Sequence, residues 1–205
     1  MVPINANSRE QAEEQIVRYC MNYCADRKIP PDNFGLDGTM AGTLVSTFGQ
    51  IWSPSVIAVM FGGPPTDRLI RSGDPKRENE AYGKMVSSLW FASRYVIDAG
   101  QLRNAPVEAI EEGSMREWGL NKQQSSRKSD PVVDVEPKDV MKKRTGRSPD
   151  LWDSACIGLE VARRRGFVIG GGSQLALNSR KPPEWAMRLL QRRKVIQQRQ
   201  TLVYA

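Results

Sequence analysis

The chain has 205 residues, 40% of them hydrophobic, which suits one soluble globular domain with a sizeable core and a tail. Lysine and arginine outnumber aspartate and glutamate by 30 to 23, so an acidic partner, nucleic acid first, fits the charge better than a basic one. Histidine is absent, which removes the commonest general base and the usual zinc ligand and leaves catalysis to carboxylates, lysine or bound metal.

No uninterrupted apolar stretch reaches the roughly 18 residues that a membrane helix needs, and the N-terminus lacks a signal-peptide pattern. A cytoplasmic protein with no membrane partner is expected. The three cysteines are odd in number, and Cys20 and Cys24 stand one helical turn apart, a register for packing rather than a disulfide.

From Ser8, a candidate cap, the pattern Ala12, Ile16, Tyr19, Cys20, Tyr23 and Cys24 predicts a helix. The Ile-Pro-Pro-Asp turn at 29 to 32 ends it, and Asn33 to Asp37 then reads as a strand finishing on an aspartate. A tight turn over 38 to 42 leads into a helix with Leu44, Val45, Phe48 and Ile51, and a second strand covers Val56 to Phe61. One helix is expected over Glu78 to Asp98, with Ala81, Met85, Leu89, Ala92 and Val96 in register and Gly100 as its stop. A shorter helix over Pro106 to Trp118 precedes a polar loop from Asn121 to Asp130, and Val132 to Val135 alternates like a half-buried strand.

After the basic segment Lys138 to Arg147, a further helix is expected with Ser148 as cap, Pro149 at its first position and Leu151, Ala155, Leu159 and Ala162 inward. Gly170 to Gly172 reads as a hinge before a last basic helix from about Pro183. Alternating strands and helices argue for an α/β layer.

Three aspartates stand where a sheet-based metal nuclease would place them: Asp37 at a strand end, and Asp150 and Asp153 three apart on one helix face. Hard divalent cations take oxygen ligands, and two of them about 4 Å apart can clamp the attacking and leaving oxygens of a phosphodiester. Each aspartate also has a plainer reading. Asp150 suits a helix dipole, and Asp37 before Gly38 is a common turn pair.

The segment from Lys138 to Ala155, with its basic stretch and Gly-Arg-Ser-Pro turn ahead of Asp150 and Asp153, resembles the closing motif of the nuclease domain of tailed-bacteriophage terminase large subunits. Phe34 to Gly42 resembles the middle motif of that family, and 59 to 63 and 82 to 91 its linking strand and helix. The likeness runs over about residues 8 to 168, leaving 169 to 205 as a basic tail with a helix.

The resemblance implies an α/β ribonuclease-H-like fold, a mixed sheet with helices on both faces. It implies an endonuclease that cuts double-stranded DNA with two Mg2+ or Mn2+ ions during DNA packaging. Asp37 and Asp153 take the catalytic positions, and Asp37, Asp150 and Asp153 those of the metal ligands. Lys138, Lys142, Lys143, Arg144 and Arg147 are expected along the DNA phosphates.

Other packaging components are the further implied partners: the ATPase domain, the small subunit and the portal. Two departures bear on this. The family's first strand, which carries the first carboxylate, belongs ahead of the helix at Ser8, where Val2 to Ala6 reads as the end of a third strand. No Gly-x-x-x-x-Gly-Lys-[Ser/Thr] loop occurs, so there is no ATP site in this chain. The competing expectation is a shortened, catalytically deficient module that binds DNA or a packaging partner.

Overall fold

The computed structural model describes residues 4–39, 42–121 and 131–170. The chain divides into two compact units, Met1–Gly170 and Gly171–Ala205; the second, with Gly171 and Gly172 of the expected hinge, the last helix and the Arg192–Lys194 run, lies outside the described residues.

The first unit is mixed α/β. Helix α1, Arg9–Asp26, starts where Ser8 predicts: the Ser8 hydroxyl accepts from the Gln11 amide at 3.2 Å. Of the expected strand end over Val2 to Ala6, the described residues 4 to 6 do not pair as a strand, and the rest lies outside the described residues. Instead Asn5 is tied to the Gln15 side chain, donating to Oε1 at 3.1 Å and accepting from Nε2 at 2.5 Å. The buried stripe of α1 is also rotated from the expected one, because Glu13, Val17 and Cys24 are buried while Tyr19 and Tyr23 are exposed. Glu13 goes inward because α2, Gly42–Ile51, offers it the hydroxyls of Thr43 at 2.5 Å and Thr47 at 3.0 Å.

Strand β1, Gly35–Asp37, pairs in parallel with β2, Ile57–Val59, so that Asp37 stands opposite Val59. Gly35 lets β1 lie directly on the long helix α7, Asp150–Arg164: a Cβ there would come within 2.6 Å of Val161 Cγ2 and 2.8 Å of Ile157 Cγ2. Beyond β2, the carbonyls of Gly63 and Phe61 accept the Met85 amide at 2.8 Å and the Val86 amide at 3.1 Å, capping a helix start that lacks a side-chain cap.

The single helix expected over 78 to 98 is two, α3 over Glu78–Ala81 and α4 over Met85–Asp98. Tyr82 bridges Val133, and the Gly83 amide donates to the Val133 carbonyl at 3.2 Å, so a pairing with a distant strand interrupts a periodicity that is otherwise helical.

Helix α5 covers Val107–Met115, and β3, Trp118–Asn121, pairs antiparallel with β4, Val132–Val135. Trp118, read as the end of a helix, therefore opens a strand. Asn121 belongs to that strand, and the rest of the expected polar loop lies outside the described residues. The described strands form two separate two-stranded sheets, one parallel and one antiparallel, rather than one mixed sheet.

The basic segment is a helix, α6 over Lys138–Thr145, ended by Gly146 at φ 73°. Side chains such as Leu89, Val17, Val59, Val132, Met141, Cys156 and Phe48 make up the interior.

Candidate carboxylate and basic site

Pro149, not Ser148, occupies the cap of α7, and the Ser148 hydroxyl turns to Asp150 Oδ1 at 3.0 Å. The capping role falls to Glu112 of α5, whose Oε2 accepts the Leu151 amide at 2.8 Å and the Trp152 amide at 3.1 Å. A carboxylate against the free amides of a helix start is favoured by hydrogen bonding and by the helix dipole. α5 comes that close because it carries glycine at 113; a Cβ there would lie 2.5 Å from Trp152 Cδ2.

Asp150 and Asp153 share one cation. Lys138 Nζ, from the first turn of α6, lies 2.7 Å from Asp150 Oδ1 and 3.1 Å from Asp153 Oδ2. Asp150 is exposed, whereas Asp153 is 6% exposed. The second Asp153 oxygen accepts from the Trp90 indole at 3.4 Å and lies 3.6 Å from Arg116 Nη1. Arg116 is itself buried, stacked 4.8 Å from the Trp90 ring centroid, and its Nη1 finds no hydrogen-bond partner among the described residues. The carboxylate pair thus faces two cations.

Burial works against the Lys138 charge, but the hydrogen bonds and charges of Asp150 and Asp153 prevail and hold its pKa above the ordinary lysine value. The Lys138 hydrogen bond holds the Asp150 carboxyl below the usual carboxylate range, against its desolvation. Burial pushes the Arg116 guanidinium down, opposed by Asp153, Cys156 and Glu136.

Asp37 has other business. Its Oδ1 accepts the Thr39 amide at 2.8 Å, shaping the turn after β1, and Thr39 Oγ1 in turn accepts the Gly62 amide at 3.3 Å. Among the described residues no three histidine, cysteine, aspartate or glutamate side chains converge, so Asp37 does not complete a three-carboxylate group with Asp150 and Asp153.

No family model, curated protein or solved structure matches this chain.

The expected DNA-facing residues divide in two. Lys138 is held by the aspartates, and Arg144, though exposed, is held by Glu136, Glu117 at 3.5 Å and the Met115 carbonyl at 2.7 Å. Lys142, Lys143 and Arg147 make no ion pair among the described residues, and the first two project from the last turns of α6 toward solvent. The run Arg163 to Arg165 is wholly internal in its pairing. Arg163 meets Glu78, Arg164 Nε lies 2.8 Å from Glu160 Oε1, and Arg165 Nη1 lies 2.7 Å from Asp32 Oδ2.

Sequence reasoning did not anticipate Glu112, Trp90 or Arg116. Arg116 stood inside the helix expected over 106 to 118, so no local signal marked it. Trp90 and Glu112 follow only from helix packing.

The donor chemistry suits one hard divalent cation between Asp150 and Asp153. Both are oxygen ligands, one is nearly buried, and the position between them already holds a positive charge. A second ion needs a further carboxylate that the described residues do not bring there.

Proposed function

We propose that this chain is the nuclease part of a terminase-type DNA-packaging enzyme, ribonuclease-H-like in fold, that engages double-stranded DNA and a divalent metal ion. The observation that carries the reading is the pairing of Asp150 and Asp153 one turn apart at a helix start, around a shared cation, next to a helix whose Lys142, Lys143 and neighbouring Arg147 are unpaired. The parallel β1–β2 pair lying on α7 supports the reading at the level of an α/β class.

Asp150 and Asp153 would hold the ion, which would supply Lewis-acid chemistry there: activation of water and stabilisation of charge on a phosphodiester. Trp90 orients Asp153 by its indole N–H. Lys142, Lys143 and Arg147 hold the phosphate backbone beside the carboxylates, which would otherwise repel it.

The pairing of both aspartates with Lys138 and Arg116 favours a second reading, a module that binds DNA or a packaging partner without cutting. A charge-balanced carboxylate pair attracts a metal ion less strongly than a bare one.

Plasmid cleavage in Mg2+ and Mn2+, set beside DNA affinity at two salt concentrations, separates the two. Metal-dependent nicking lost in Asp153→Asn supports the nuclease. Salt-sensitive binding without nicking, lost when Lys142, Lys143 and Arg147 become glutamate, supports the module. Robust cleavage that survives Asp153→Asn refutes the site, and binding indifferent to both salt and charge reversal refutes the DNA partner.

A further inference from the structure

A cavity of about 330 Å3 lies away from these aspartates, between the loop over 68 to 73 and the segment that follows α7, and three arginines line it: Arg68, Arg71 and Arg163. The loop is built rather than loose. Leu69 bridges Arg77, the Glu78 amide donates to the Arg68 carbonyl at 2.9 Å, and the Ser72 amide donates to the Ile169 carbonyl at 3.0 Å.

Each guanidinium is positioned by part of its donor set. Arg163, 5% exposed, spends Nη2 on the buried Glu78. Arg68 puts Nη2 2.6 Å from Glu160 Oε2 and donates from Nε to Thr66 Oγ1 at 2.9 Å. Arg71 lies over the Tyr95 ring at 4.9 Å, with Nε 3.5 Å from Asp74 Oδ2.

What remains is unsatisfied. Arg163 Nη1 is fully buried with no hydrogen-bond partner among the described residues. Glu78 Oε1 is likewise buried without a hydrogen-bond partner among the described residues, so the Arg163–Glu78 ion pair keeps hydrogen-bonding capacity that is costly to leave unused. Four arginines, counting Arg164, stand against Glu78, Glu160 and Asp74, so the surroundings carry one positive charge in excess. The carbonyls of Val161, Ala162 and Arg163 at the end of α7 accept the amides of Arg165, Gly166 and Phe167.

We propose that this cavity binds a phosphate ester, its phosphate received by the guanidinium groups of Arg68 and Arg71 beside that of Arg163. Guanidinium forks match phosphate oxygens, and three of them around one volume suit a tetrahedral anion better than a two-oxygen carboxylate. The size is at the small end of ligand pockets, and Leu69, Phe167 and Val168 supply an apolar wall for the body that bears the phosphate. The ester belongs to a free phosphomonoester or to a nucleic-acid backbone. The inference is independent of the reading of Asp150 and Asp153.

The test uses the full chain. Inorganic phosphate, adenosine monophosphate and a 20-base-pair duplex are each titrated while thermal unfolding and 31P line widths are followed, with sodium chloride at matched ionic strength as the control. Phosphate and the nucleotide are expected to raise the midpoint by a few degrees beyond the chloride control. Arg71→Gln, at a partly exposed position, is expected to weaken binding about tenfold, as expected for one charge-assisted contact.

Arg163→Lys should abolish the shift; if it fails to fold, Arg71→Gln with Arg68→Gln replaces it. Protection by the nucleotide but not the duplex assigns a small-molecule ester. Duplex affinity that falls with Arg71→Gln while Arg18→Gln, an exposed position on α1, leaves it unchanged assigns a backbone phosphate. A phosphate effect no larger than that of chloride, or one undiminished by Arg71→Gln, overturns the proposal.

Discussion

Gly35→Ala tests how closely β1 is set on α7. The added methyl would stand 2.6 Å from Val161 Cγ2 and 2.8 Å from Ile157 Cγ2, against an ordinary carbon contact of about 3.5–4.0 Å, a shortfall of about 1 Å at each. Both neighbours are β-branched and held to one χ1 in a helix, so neither rotates aside and the strand must lift. Overpacking of this kind costs about 1–3 kcal/mol, and the stiffer unfolded chain returns about 0.4–1 kcal/mol, for a net loss of about 1–2 kcal/mol. With a urea slope of about 2 kcal/mol/M, the midpoint falls by about 0.5–1 M. Val161→Ala in the same chain removes the nearer clash, so the double variant should be more stable than the sum of the two single losses. A Gly35→Ala midpoint equal to or above the parent's, or strict additivity with Val161→Ala, would refute the contact.

Lys138→Gln removes the cation shared by Asp150 and Asp153. Because Lys138 is about half exposed, the loss should be no more than about 1 kcal/mol, while the Asp150 carboxyl titrates at a higher pH in a carboxyl-carbon NMR titration. Asp150 and Glu136 both have lowered folded-state pKa values; for Glu136, burial opposes the shift and the Arg144 hydrogen bond leads the groups that overcome it. Their stabilising contribution is complete above the unfolded carboxylate range and is lost as pH falls through their folded values. Urea midpoints should therefore decline on the acid side, and less steeply in Glu136→Gln. Burial raises the Cys156 thiol far above its ordinary value and Cys24 less, so a thiol reagent at neutral pH should leave Cys156 unmodified until the chain unfolds.

Local rules carried the sequence reading a long way at some elements and failed at identifiable others. Ser8, the β1 and β2 positions and the core stripe Met85, Leu89, Ala92 and Val96 follow from cap chemistry and periodicity. The break at Tyr82 does not, since it depends on Val133, some fifty residues on. In α7, of the expected inward set, Leu151 is exposed, Ala155 and Ala162 are half-buried and Leu159 packs against the core cluster of Ala92, Val96 and Ile169, while the fully buried positions are Trp152, Asp153, Cys156, Glu160, Val161 and Arg163. A hydrophobic count cannot foresee that two carboxylates turn inward, because what admits them is the arginines: Arg116 for Asp153, Arg68 and Arg164 for Glu160. For the site, Asp150 and Asp153 were legible as one helix face. That Lys138 binds both, and that Asp37 shapes its own turn, rests on how α6 and β1 are placed.

The Glu112 contact ties the order of α7 to α5. The hydrogen bonds that hold the amides of Leu151 and Trp152 come from a side chain 39 and 40 positions earlier, while the Asp153 amide closes the first turn locally on the Pro149 carbonyl at 2.9 Å. When α5 lifts, the Leu151 and Trp152 amides lose their acceptor, and their exchange with solvent is expected to follow the opening of α5. The fidelity of the carboxylate pair is thus governed from a helix that contributes no ligand to it.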